Sequence, residues 1–66
     1  MTVSMNGERA DTRGASTVAD LMERYQIEAA TVLVEHNGVA LHKREWAERK
    51  LTEGDTIEIV RVVAGG

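Results

Sequence analysis

The sequence has no cysteine and no proline, and its only aromatic residues are Tyr25 and Trp46. Each shortage excludes something. Without cysteine there is no disulfide framework, no thiolate metal site and no internal thiol to act as a nucleophile or to hold sulfur. Two aromatics are too few for a base-stacking platform. Eight Lys and Arg stand against eleven Asp and Glu, a net charge of −3, which is the wrong sign for a phosphate-binding surface. Nucleic acid is therefore a poor partner, and a protein with a basic face fits better. The amino end, MTVSMNGERA, lacks the basic start and apolar core of a signal peptide, and no segment approaches membrane-spanning length. No membrane partner is expected, and a cytoplasmic location follows by default.

What remains is a chain of 66 residues without repeats, low-complexity tracts or linkers. It reads as one domain, residues 1–66, of a size that buries only about 60% of the surface its unfolded chain exposes. Asn6-Gly7, between Val3-Ser4-Met5 and Glu8-Arg9-Ala10, is a strong hairpin signal, because both central residues of a type I′ turn need positive φ. A hairpin over Thr2 to Asp11 pairs Met5 with Glu8 and Val3 with Ala10. Val3, Met5 and Ala10 then share the buried face, with Ser4, Arg9 and Asp11 on the other.

Thr17-Val18-Ala19-Asp20 has the form of a capping box with Asp in place of Glu, and Ser16 competes as N-cap. The helix predicted from about Thr17 to Tyr25 carries Val18, Leu21, Met22 and Tyr25 at i, i+3, i+4 and i+7. One apolar stripe results, and it must lie on a sheet.

A second Asn-Gly pair, Asn37-Gly38, centres a hairpin over Thr31 to His42 that pairs His36 with Val39, Val34 with Leu41 and Leu33 with His42. Val32, Val34, Val39 and Leu41 form its core face. In this register His36 and His42 fall on opposite faces, which denies them a shared metal or an acid/base role; both are expected at the surface or an edge. Lys43 to Lys50, KREWAERK, is a charged connector whose Trp46 plugs one end of the core. Glu53-Gly54-Asp55 is a turn. The last strand is predicted from Thr56 to Val63, with Ile57 and Ile59 toward the helix and Glu58, Val60 and Val62 away from it.

Two hairpins around one helix, and a final strand returning to the sheet, predict an α+β domain of β-grasp type, a mixed sheet packed on one helix. The other sheet face is left uncovered, and on it fall Leu33, Ala40, Val60 and Val62. A solvated sheet face is mostly polar, so these are either scattered surface residues or a docking patch, and the docking reading is the one taken. Catalytic residues are not expected: Ser4, Ser16, the threonines and the histidines form no nucleophile-base constellation. A terminal Gly-Gly pair arises by chance in roughly one chain in two hundred, so Gly65-Gly66 needs this context before it carries chemistry.

The strand leading to Asn6-Gly7, Thr17-Val18-Ala19-Asp20-Leu21, Val34-Glu35-His36-Asn37-Gly38, Arg44-Glu45-Trp46-Ala47, Leu51, Gly54-Asp55, Ile57-Glu58-Ile59-Val60 and Gly65-Gly66 follow in order over essentially the whole chain. Together they resemble the ThiS family of thiamine-pathway sulfur carriers. Ala64 departs from the third glycine found in many members. The resemblance implies a ubiquitin-like fold with a flexible tail over residues 64–66, and a protein substrate instead of an enzyme. It implies that a ubiquitin-activating-like adenylyltransferase consumes ATP to adenylate the carboxyl of Gly66, with no cofactor bound by the chain itself. A desulfurase relay then supplies sulfur, and the thiocarboxylate delivers it to thiazole synthase. Gly65 and Ala64 give the carboxylate access to a narrow channel, a thin backbone being suited to close approach. Alternatives on the same fold are a molybdopterin-synthase small subunit or a sulfur-carrying protein modifier; a small binding module with incidental glycines is a different class.

Overall fold

The computed structural model describes residues 1–62. Five strands and one α-helix follow the chain as β1 (Thr2–Met5), β2 (Glu8–Asp11), α1 (Val18–Arg24), β3 (Val32–His36), β4 (Val39–Leu41) and β5 (Thr56–Arg61), with 3₁₀ turns at Ala29–Thr31 and Lys43–Glu45. The sheet order is β2-β1-β5-β3-β4. β1 and β5 run parallel; the other neighbours are antiparallel. This is the mixed five-stranded sheet on one helix that the sequence pattern predicts.

Both hairpins have the expected register, Val3 opposite Ala10 and Val34 opposite Leu41. Their turns have positive φ at both central residues, 52° and 84° at Asn6-Gly7 and 51° and 84° at Asn37-Gly38, the geometry that matches the twist of the flanking strands. Asn6 also ties its hairpin to β5, its side chain accepting from the Ile59 N–H and donating to the Ile59 carbonyl.

Thr17 caps α1, its hydroxyl oxygen accepting from the Asp20 N–H at 3.1 Å. The Asp20 carboxylate accepts from the N–H and hydroxyl of Ser16; these bonds, that from the Ser16 N–H foremost, hold its carboxyl below the usual range. At the other end the Ile27 N–H donates to the Met22 carbonyl and the Gln26 N–H to the Glu23 carbonyl, with Gln26 at φ 55°. This is a Schellman closure with glutamine where glycine is usual. Val18, Leu21 and Met22 are buried, and Tyr25 is half-buried, its hydroxyl donating to the Asp11 carbonyl.

One core holds the molecule together. Val3, Val18, Leu21, Met22, Val32, Val34 and Ile57 fill it, and Trp46 and Leu51 close one end, as expected of the KREWAERK connector. Three expectations are corrected. Val39 is 47% exposed, because β4 is an edge strand with β3 as its sole neighbour and Val39 stands at its turn end. The chain leaves the sheet after Leu41 for the 3₁₀ turn, so His42 has no ladder position opposite Leu33. β5 stops at Arg61, although the Val62 N–H still donates to the Thr31 carbonyl at 2.8 Å.

Candidate functional site

Side chains alternate along β5, and the alternation builds the two faces of the sheet. Ile57 and Ile59 point toward α1; Glu58, Val60 and Val62 point away. On β3, Leu33 stands directly opposite Val60, and Glu35 directly opposite Glu58. Ala40 of β4 lies opposite Glu35 and is exposed. Leu33 is 60% exposed, Val60 55% and Val62 47%. The four residues expected on the uncovered face are thus together on it, with Leu33, Val60 and Val62 at the end where β5 leaves the sheet. A shallow groove of about 370 Å³, lined by Val32, Leu33, Leu41, His42, Lys43 and Arg44, borders the patch on the β4 side. The tail residues Ala64, Gly65 and Gly66 lie outside the described residues.

The histidines separate as expected in one respect and not in the other. His42 is exposed. His36 is 7% exposed, because it shares the alternation that buries Val32 and Val34. Its Nε2 lies 2.7 Å from Asp55 Oδ2, and its Nδ1 accepts from Arg49 Nε at 3.1 Å. With Nδ1 accepting, the ring proton sits on Nε2 and is donated to the carboxylate. Asp55 also accepts from the Thr52 N–H, the Thr52 hydroxyl and the Asn37 amide. Burial pushes the Asp55 carboxyl up, but the bonds from His36, Thr52 and Asn37 outweigh it, leaving the group well below the usual carboxylate range.

This network was not anticipated. It clamps the entry to β5 onto the Asn37-Gly38 turn and the loop after Trp46, and so fixes the strand that carries Val60 and Val62. The available signal was the period-two placement of His36 on the valine face, where a buried imidazole demands a partner. Its chemistry is acceptor satisfaction, and among the described residues no group of His, Cys, Asp and Glu is placed to hold a metal.

The comparisons with known proteins concern the whole arrangement. A family model described as ThiS family matches residues 3–66. The chain belongs to the ThiS family. The sulfur carrier protein ThiS of Bacillus subtilis (strain 168) is 39% identical over 54 residues, covering 82% of each chain. The crystal structure of the thiamine biosynthesis protein ThiS from Geobacter metallireducens superposes with a TM-score of 0.83 at 28% identity and full coverage of both chains. The solution structure of a Geobacter metallireducens thiamine biosynthesis protein gives 0.76 at 28% identity, over all of this chain and 88% of that one. The ThiS match runs past the last described residue, Val62, and includes the Gly65-Gly66 pair.

Proposed function

We propose that this ThiS-family chain is a sulfur carrier of thiamine biosynthesis and that the carboxyl group of Gly66 carries the sulfur. The observation that supports this reading is a family match that extends through residue 66, on a fold whose last strand leads directly into that tail. The structural neighbours named for thiamine biosynthesis favour this pathway over a molybdopterin-synthase subunit or a protein modifier.

The chemistry needs a carboxylate and a partner, not an active site on this chain. A C-terminal carboxylate has an ordinary pKa of about 3.3 to 3.7 and is ionised at neutral pH. One of its oxygens attacks the α-phosphorus of ATP, and pyrophosphate leaves. A persulfide sulfur of the relay then attacks the acyl carbon, AMP leaves with the former carboxylate oxygen, and a thiol reductant cleaves the resulting acyl disulfide to the thiocarboxylate. The ATP belongs to a partner adenylyltransferase; this chain binds no cofactor. Gly65 and Ala64 put little side chain beside the reacting group. Leu33, Ala40, Val60 and Val62 form the docking face for that enzyme, and thiazole synthase is the acceptor of the sulfur. A desulfurase relay supplies it, in the cytoplasm.

Deleting Gly66 tests the assignment. It withdraws the carboxylate by up to about 3.6 Å of extended chain, more than a reaction requiring atoms about 3 to 3.5 Å apart tolerates. The truncated chain is expected to resist loading by ATP, the activating enzyme and a sulfur source, and loading at the full-length rate would overturn the assignment.

A further inference from the structure

Glu35 and Glu58 stand directly opposite each other on neighbouring antiparallel strands, and both are exposed. Like charges in that relation disfavour the sheet. No described lysine or arginine offsets them: the ion pairs among the described residues are Arg24 with Glu23 and Asp55 with His36. The pair lies one row from Leu33 and Val60, two residues along each strand, or about 7 Å. Across the sheet, on the β4 side, Leu33 borders the groove that Lys43 and Arg44 help to line. The uncovered face is therefore apolar at Leu33 and Val60 and acidic one row away at Glu35 and Glu58. A face used only to exclude water gains nothing from a repelling pair at its margin, whereas a face that must seat a partner in one orientation does.

We propose that Glu35 and Glu58 together receive a basic side chain, an arginine or lysine, of the protein that docks on Leu33, Val60 and Val62, and that this contact sets the rotational orientation in which the tail is presented. The proposal rests on the docking face assigned above and specifies the chemistry of its occupant. Charge complementarity identifies that occupant: the partner surface is apolar at its centre and cationic where it meets β3 and β5. The planar fork of an arginine spans two carboxylates on adjacent strands and suits the position better than a lysine.

The test is the association rate of the purified chain with its activating adenylyltransferase at low and high ionic strength, for wild type and for Glu35→Gln/Glu58→Gln. The double variant is expected to associate roughly tenfold more slowly at low salt and to lose most of the salt dependence, while its thermal midpoint holds or rises as the repulsion is relieved. Glu23→Gln/Glu48→Gln, which changes the net charge equally at exposed positions off this face, is expected to associate as wild type. Equal slowing in both double variants would reduce the effect to net charge and overturn the proposal. So would wild-type rate and salt dependence in Glu35→Gln/Glu58→Gln. Leu33→Ser separates this proposal from the reading beneath it. If Leu33→Ser binds poorly while the glutamine pair binds normally, the docking face stands and the acidic contact falls; if both bind normally, the face itself is wrong.

Discussion

Replacing Asp55 with alanine removes the acceptor on which the β5 clamp depends. His36 Nε2–H, 2.7 Å from the carboxylate, is left buried without a partner, at a cost of about 1 to 3 kcal/mol. Thr52 and Asn37 are exposed, so their donors regain water, and losing their bonds to a charged acceptor adds roughly 1 kcal/mol. The total, about 2 to 4 kcal/mol, is large against the roughly 3 to 10 kcal/mol expected for a domain of this size. It should lower the thermal midpoint by about 8 °C or more. The substitution has a second signature in acid. The folded-state carboxyl lies below its ordinary value of 3.8, so Asp55 contributes stability that is present above about pH 4 and is lost as pH falls further. Circular dichroism melts at about pH 7, 4 and 2.5 should therefore show wild type losing its advantage over Asp55→Ala on acidification. A variant that melts with wild type at neutral pH, or a gap that does not narrow in acid, would refute the argument that the carboxylate holds this region together.

Leu21 is fully buried on the α1 stripe, so Leu21→Ala should cost about 2 to 5 kcal/mol by urea titration, enough to unfold so small a domain; a midpoint near wild type would mean that the helix does not cover the sheet as described. Gln26→Gly should stabilise by up to about 1 kcal/mol, since φ of 55° at the helix end suits glycine; a loss of stability in the same titration would contradict that closure. Val60→Asp should weaken binding to the adenylyltransferase by calorimetry while circular dichroism stays native, because Val60 is exposed and points away from the core. Replacing His42 should leave both folding and loading unchanged, whereas His36→Ala should lower the melting point before any effect on loading is considered.

The elements were legible where one local rule decided them. Asn-Gly turns set both hairpin registers, and the spacing of Val18, Leu21 and Met22 set the helix face. Burial followed wherever the strand period and the sheet interior agreed, as at Val32, Val34 and Ile57. Val39 escaped because exposure at an edge depends on strand order, which the period of β4 alone does not contain. His36 escaped for the complementary reason: the period placed it inward, but its partners Arg49 and Asp55 come from loops 13 and 19 residues away, and only the fold brings them to the imidazole. The placement of Leu33, Ala40, Val60 and Val62 on the uncovered face was legible because both hairpin arithmetic and β5 alternation bear on them. The facing of Glu35 and Glu58 needed the β3–β5 register, which no turn specifies.

The central claim is that Gly66 carries the sulfur, and intact-mass measurement with backbone fragmentation on protein taken directly from producing cells tests it most directly. A fraction of the chains should show the mass gain of one oxygen exchanged for one sulfur, with fragmentation placing the change at residue 66, and that fraction should disappear when the activating adenylyltransferase is deleted. Chains that carry no such gain while thiamine synthesis proceeds, or a gain located elsewhere in the sequence, would contradict the account.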